Sequence, residues 1–203
     1  MPEASHMNPS RRKFLGQVAT GLLVTAISPI SIASVARLPA TPRVTPGRDW
    51  RQVLLNRDRW LSLEREATGE KGAFKYFEYG KGFDSRGYAA ACHLLRDVAS
   101  NRMVQMDKRL IDLLYLIQSW CRINRKPYVI TIMSGYRTPA YNATVAGAVR
   151  NSEHTKGTAA DIRISGLSTQ DLGLLARQIG VGGVGFYTGR GFIHIDVGRV
   201  RQW

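Results

Sequence analysis

In the middle of the chain apolar residues recur every three or four positions, whereas towards its end they alternate with polar ones in short runs. The first rhythm is that of a helix buried along one stripe, the second that of a strand buried on one face. "DKRLIDLLYLIQSWCRI", from Asp107, sets Leu110, Ile111, Leu114, Leu116, Ile117 and Trp120 along one side and predicts the strongest helix. An earlier helix is predicted from Asp84, a plausible N-cap, through "SRGYAAACHLLRDVAS". "STQDLGLLARQIG" predicts a third, with Ser168 and Asp171 placed as in a capping box. "YVITIM" (Tyr128–Met133), followed by "SGYRTPAYN", is β-branched and apolar and predicts a buried strand; "TAADIRIS" predicts another. "GGVGFYT" and "GFIHIDVG" predict a hairpin turning at "GRG", and "RWLSLEREATGEKGAFKYFEYG" predicts one turning at "TGEKG". Together these elements predict an α+β fold, a small and mostly antiparallel sheet with helices packed on one face.

Composition narrows the class. With 203 residues, 44% apolar and 22% charged, the chain suits one globular domain rather than a disordered tail. Its net charge of +14 is spread out and accompanies no nucleic-acid-binding motif, so nucleic acid is not an expected partner. A basic surface suits a carboxylate-rich polymer such as a cell wall equally well.

The N-terminus reads as a separate segment. "SRRKFLG" precedes a modestly apolar stretch that contains Pro29 and ends in Ser34-Val35-Ala36, the pattern of a twin-arginine export signal. A membrane span needs about 20 well-apolar residues, which this stretch lacks, so no stable span is expected after cleavage. The expected organisation is a signal over 1–36, a Pro/Arg-rich linker over 37–57 and one domain over 58–203, exported folded to the periplasm or cell envelope. Cys92 and Cys121 fall within predicted helices, where a single disulfide or two buried thiols are both open.

The chemistry lies on the last strands. Along "GFIHIDVG", Phe192, His194 and Asp196 share one face and Ile193, Ile195 and Val197 the other. In "TAADIRIS" the same alternation parts Asp161 and Arg163 from Ile162 and Ile164. If the two strands are neighbours, His194 and Asp161 converge, and His154 in the preceding loop adds a third corner. Two imidazoles and one carboxylate leave a tetrahedral ion an open position, the pattern of a catalytic zinc site; a surface histidine and a strand-end aspartate are the ordinary alternative. Metal-assisted amide hydrolysis also needs a proton acceptor and a cation facing the developing oxyanion. Asp196 is a candidate for the first, or else an orienting partner of a histidine. Arg137, just past a strand end in "SGYR", is a candidate for the second or for a substrate carboxylate, unless it is a solvated surface arginine.

Three ordered motifs, "SGYRTPAYN", "SEHTKGTAADI" and "GGVGFYTGRGFIHIDVGRVRQW", resemble the zinc peptidases of the D-Ala-D-Ala metallopeptidase type, in the wider group with lysostaphin and sonic hedgehog. Within that group the chain resembles the murein endopeptidase (MepK-type) branch. The resemblance implies a hedgehog/D,D-peptidase-like fold, one Zn2+ per chain on His154, Asp161 and His194, and Arg137 as the transition-state cation. It also implies a monomer that hydrolyses peptide cross-links between peptidoglycan stem peptides during wall remodelling. Many such relatives carry an acid three residues before the distal histidine, where this chain has Gly191; the base then falls to Asp196 or to Glu153. Tyr136, Asn142 and Tyr187 are candidates to line a substrate cleft, and His93 is expected to be structural. A D,D- or L,D-carboxypeptidase and a non-catalytic wall-binding module are the rival functions.

Overall fold

The computed structural model describes residues 49–203. The expected signal over 1–36, and the part of the expected linker over 37–48, lie outside the described residues. The end of that linker is helical: α1 (Trp50–Leu55) is capped by Asp49, whose carboxylate accepts from Arg51 N, and buries Leu54. Two strands follow, β1 (Arg59–Arg65) and β2 (Lys71–Glu78), paired antiparallel around the expected turn. A short β3 (Gly82–Phe83) leads into α2 (Ser85–Leu94), where Asp84 accepts from Gly87 N as the predicted cap. α3 (Lys108–Ile123) begins after Asp107, whose side chain accepts from Arg109 N.

β4 (Ile130–Ser134) then runs to a short helix, α4 (Pro139–Thr144), capped by Thr138 with Pro139 in its first turn. A 3-10 turn, Glu153–Lys156, feeds β5 (Ala159–Ile164). α5 (Thr169–Ile179), capped by Ser168, precedes β6 (Gly183–Tyr187), β7 (Phe192–Asp196) and β8 (Arg201–Gln202).

The eight strands form one sheet in the order β3-β2-β1-β4-β5-β7-β6-β8. The sheet is mixed rather than mostly antiparallel: β1 with β4 and β6 with β8 run parallel. The parallel β1–β4 pairing joins the N-terminal hairpin to the later strands, with α2 and α3 inside the connection. One face carries the core. Leu61, Leu63, Tyr76, Ile130, Ile132, Ile162, Ile193 and Ile195 are buried there with Leu110, Ile111, Leu114 and Ile117 of α3 and Leu172 and Ile179 of α5. The α+β expectation of helices gathered on one face therefore describes this layer.

Several polar groups that enter the core are paired, whereas Arg65 Nε and Nη1 are buried without a partner among the described residues. Gln118 bonds Ser62 N and O at 3.0 and 2.9 Å and Tyr128 O at 2.7 Å, satisfying β1 where β4 has not yet begun to pair. Arg59 meets Asp112 at 2.6 Å, and Tyr76 donates its hydroxyl to the same carboxylate at 2.7 Å. Cys92 and Cys121 are both free and buried, and burial pushes the Cys121 thiol up to about 11. His93 sits on the surface between Glu70 and Arg96. No helix among the described residues is long and apolar enough to cross a membrane.

Candidate metal centre

The strand alternation that buries Ile162, Ile193 and Ile195 turns the intervening residues to the opposite face of the sheet. β5 and β7 are antiparallel neighbours, and their register sets Asp161 directly opposite His194. The 3-10 turn just before β5 brings back His154, with Ser152 capping His154 N and Gly157 closing the turn at φ 72°. All three side chains are buried.

Their donor atoms converge. His154 Nε2 lies 3.2 Å from Asp161 Oδ1, His194 Nδ1 lies 3.0 Å from the same oxygen, and the two ring nitrogens are 3.1 Å apart. The outer nitrogens identify the tautomers. His154 Nδ1 is 2.6 Å from Gly135 O, which can only accept, so Nδ1 carries the proton and Nε2 presents a lone pair. His194 Nε2 is 3.1 Å from Asp196 Oδ2, so it donates there and Nδ1 presents its lone pair inward. Two imidazole lone pairs and a carboxylate oxygen thus face one another, an arrangement that a cation relieves. Donors held at about 2.0–2.1 Å around a tetrahedral ion stand about 3.3 Å apart, close to the spacing here. The donor set and its geometry fit a divalent metal.

The electrostatics differ among the three groups. Burial alone would raise the Asp161 pKa, but the contacts with His154 and His194 outweigh it and hold the carboxyl well below the usual range. Burial lowers the His154 pKa, which favours its neutral, ligating form. For His194 burial also acts downward, but Asp161 and Asp196 prevail and the net shift is upward.

Asp196 is fully buried, and both its oxygens are engaged. Oδ1 accepts from Gly183 N at 3.0 Å, Gly198 N at 2.9 Å and Arg201 Nη1 at 3.1 Å, while Oδ2 takes His194 Nε2 and Arg201 Nη2 at 2.8 Å. The expected role as a base does not fit, because no lone pair of this carboxylate reaches the cleft. The orienting role does fit. Arg137 donates from Nη2 to Asp161 Oδ2 at 2.5 Å and from Nε to Ser134 Oγ at 2.8 Å, and its side chain lines the cleft beside the three donors. Glu153 lines the same cleft, but its carboxylate holds Lys156 Nζ at 2.8 Å and Thr158 Oγ1 at 2.7 Å. These contacts lower its pKa.

Of the three residues expected in a substrate cleft, the structure brings one there. Tyr187 lines it, stacked on Phe192 at 4.9 Å between ring centroids. Tyr136 instead packs against the core, and its backbone N bonds Leu95 O. Asn142 is buried within α4 and donates from Nδ2 to Val149 O at 3.0 Å, holding the loop after that helix. Sequence reasoning missed Trp203, whose ring lies 5.3 Å from that of His194 and whose Nε1 donates to Tyr187 Oη at 3.2 Å. It reaches the cleft through the parallel β8, a pairing with no local signal. Gly185 makes this possible, since a Cβ there would stand 2.7 Å from the indole. Gly191, three residues before His194, closes the β6–β7 turn at φ 71°, a conformation that glycine adopts without strain.

The loop bearing Arg137 hangs on Asp97, which is buried and accepts from Thr138 N at 2.8 Å and Thr138 Oγ1 at 2.7 Å. Burial would raise its pKa, but these bonds prevail and the net shift is downward. The stabilisation from this anchor is therefore complete above the unfolded-state value of about 3.9 and is lost as pH falls through the lower folded value. Denaturant melts between pH 5 and pH 2 are expected to show wild type losing stability more steeply than Asp97→Asn. Parallel profiles would contradict this role.

The site's cleft has a volume of about 570 Å³ and opens over His154, Asp161 and His194. A family model described as peptidoglycan L,D-endopeptidase MepK matches residues 54–203. Over 151 residues the chain is 35% identical to the peptidoglycan L,D-endopeptidase MepK of Escherichia coli (strain K12), covering 72% of this chain and 81% of the relative. Over 205 residues it is 30% identical to the probable peptidoglycan L,D-endopeptidase MepK of Haemophilus influenzae, covering 98% of each. Matched by that model over residues 54–203 and by these relatives across most of its length, the chain belongs to the MepK family of peptidases.

Proposed function

We propose that the chain is a zinc-dependent murein endopeptidase that hydrolyses peptide cross-links between peptidoglycan stem peptides. The observation that carries this reading is the convergence of His154 Nε2, Asp161 Oδ1 and His194 Nδ1 under an open cleft, with each imidazole fixed in its ligating tautomer from behind. Names of the relatives supply the substrate class. All three donors come from one chain, so a single ion per monomer suffices.

Bound zinc would supply Lewis acidity for the scissile carbonyl and a lowered pKa for water. The chain's own residues do the rest. Asp196 and Gly135 O hold the two imidazoles in orientation. Arg137 holds the outer oxygen of Asp161 and lines the cleft beside the three donors, where a fixed guanidinium would stabilise negative charge developing on the scissile carbonyl. Glu153 is the cleft carboxylate that is not a ligand, and its lowered pKa keeps it ionised at neutral pH, as a proton acceptor must be. Lys156 and Thr158 occupy its oxygens, so proton uptake requires one of these contacts to open. The twin-arginine pattern in residues 1–36 supports export to the envelope, where this substrate lies.

Digestion of purified cross-linked muropeptide dimers, followed by mass spectrometry, tests the reading. The expected result is conversion of dimers to monomers, stopped by a chelator and restored by zinc. Release of single terminal residues from uncross-linked stems would instead show a carboxypeptidase. Wall binding without cleavage by zinc-loaded protein would show a binding module.

A further inference from the structure

Three arginines line the cleft, and they differ in what they already hold. Arg137 is bonded to Asp161 and Ser134. Arg201 bonds Asp196 through both terminal nitrogens and lies over the Trp203 ring at 4.8 Å. Arg190 is exposed and its side chain makes no hydrogen bond or ion pair with any other described residue; its guanidinium lies 5.6 Å from the Tyr187 ring centroid. We propose that Arg190 is a specificity-determining residue that binds a free carboxylate of the peptide substrate flanking the scissile bond.

The local structure braces Arg190 for this role. It ends the 3-10 turn Thr188–Arg190 between β6 and β7, and Gly191 in the left-handed conformation closes that turn. Tyr187 beneath it is stacked on Phe192 with an interplanar angle of 20° and tied by its hydroxyl to Trp203. A guanidinium within cation–π range of an aromatic ring is drawn towards that face, and its planar fork matches a carboxylate through two parallel hydrogen bonds. The neighbouring acids do not compete for it: Asp161 is bonded to Arg137, and Glu153 to Lys156. The inference rests on the endopeptidase reading above, in which stem peptides carry free carboxylates near the bond that is cut.

The test uses a defined cross-linked dimer whose free carboxylates are converted to carboxamides one at a time. For wild type, one such amidation is expected to lower kcat/KM about 10- to 100-fold, the range of one charge-assisted hydrogen-bonded pair. Arg190→Gln should show a loss of similar size on the unmodified dimer, expressed in KM rather than kcat, and its penalty for that same amidation should collapse towards unity. Arg190→Lys should recover part of the discrimination, since it keeps the charge and loses the fork. If every amidation leaves wild-type cleavage unchanged, or if Arg190→Gln lowers cleavage of all the dimers equally, the role of Arg190 is overturned while the endopeptidase reading stands. If wild-type protein cleaves none of them, both fall together.

Discussion

Replacing His154 with alanine is expected to lower turnover of cross-linked muropeptides by about 10³-fold or more while leaving the fold intact. Lewis-acid stabilisation of a transition state is worth several kcal/mol, and each 1.36 kcal/mol is a factor of ten in rate. His154 supplies one of three donors, and its Nε2 lies within 3.2 Å of the other two. Without it the site keeps one imidazole and one carboxylate, too few to hold the ion in place. The fold should tolerate the change, because the apolar core lies on the other face of the sheet and Ser152 still caps the turn. Turnover and far-UV circular dichroism on the same preparations check both halves. Activity within threefold of wild type would remove His154 from the chemistry.

Asp196→Asn is expected to produce the second-largest effect, and to do so through His194. The substitution preserves shape, so Gly183 N and Gly198 N can still donate to the remaining oxygen. The new amide group, however, takes the place of Oδ2 and directs a donor at His194 Nε2, which now carries a hydrogen of its own. Relieving that clash moves the imidazole proton to Nδ1, the atom that faces Asp161 Oδ1, and so blocks it as a ligand. Loss of such an orienting partner costs about 10- to 100-fold in metal affinity or activity. Competition of the apoprotein with a chromophoric chelator distinguishes this from a base: the orienting role predicts weaker zinc binding together with lower kcat. Full zinc affinity with lost turnover would restore Asp196 to proton transfer.

How much of this was legible in the sequence depends on the distance over which each feature is encoded. Alternation along "GFIHIDVG" and "TAADIRIS" put His194 and Asp161 on the polar faces of two strands, and only their adjacency had to be supplied by the fold. Three helices, α2, α3 and α5, were legible because Asp84, Asp107 and Ser168 mark their starts and their apolar residues keep a helical period, whereas α1 lies in the expected linker. α4 was not legible, although Thr138 before Pro139 is a helix-start signal, because its 6 residues carry too little periodicity to register. The two parallel pairings were not legible, since β1 and β4 are separated by two helices and β8 contributes only 2 residues. Trp203 as a wall of the cleft follows from β8 and was hidden with it.

The role of Asp196 shows the same limit at the scale of atoms. Spacing placed it on the face of His194, but spacing cannot tell a carboxylate that opens onto a cleft from one enclosed by Gly183 N, Gly198 N and Arg201. Tyr136 and Asn142 belong to the same motif as Arg137, yet one turns into the core and the other anchors a loop. Where each residue of the motif turns depends on bonds outside the motif, here Tyr136 N to Leu95 O and Asn142 Nδ2 to Val149 O.

Anomalous diffraction at the zinc edge from crystals of zinc-loaded protein tests the central claim most directly. The account predicts one ion per chain, bonded at about 2.0–2.2 Å to His154 Nε2, Asp161 Oδ1 and His194 Nδ1, with Asp196 bonded to His194 Nε2 behind it. An ion held elsewhere, or none bound by these three atoms at saturating zinc, would contradict it.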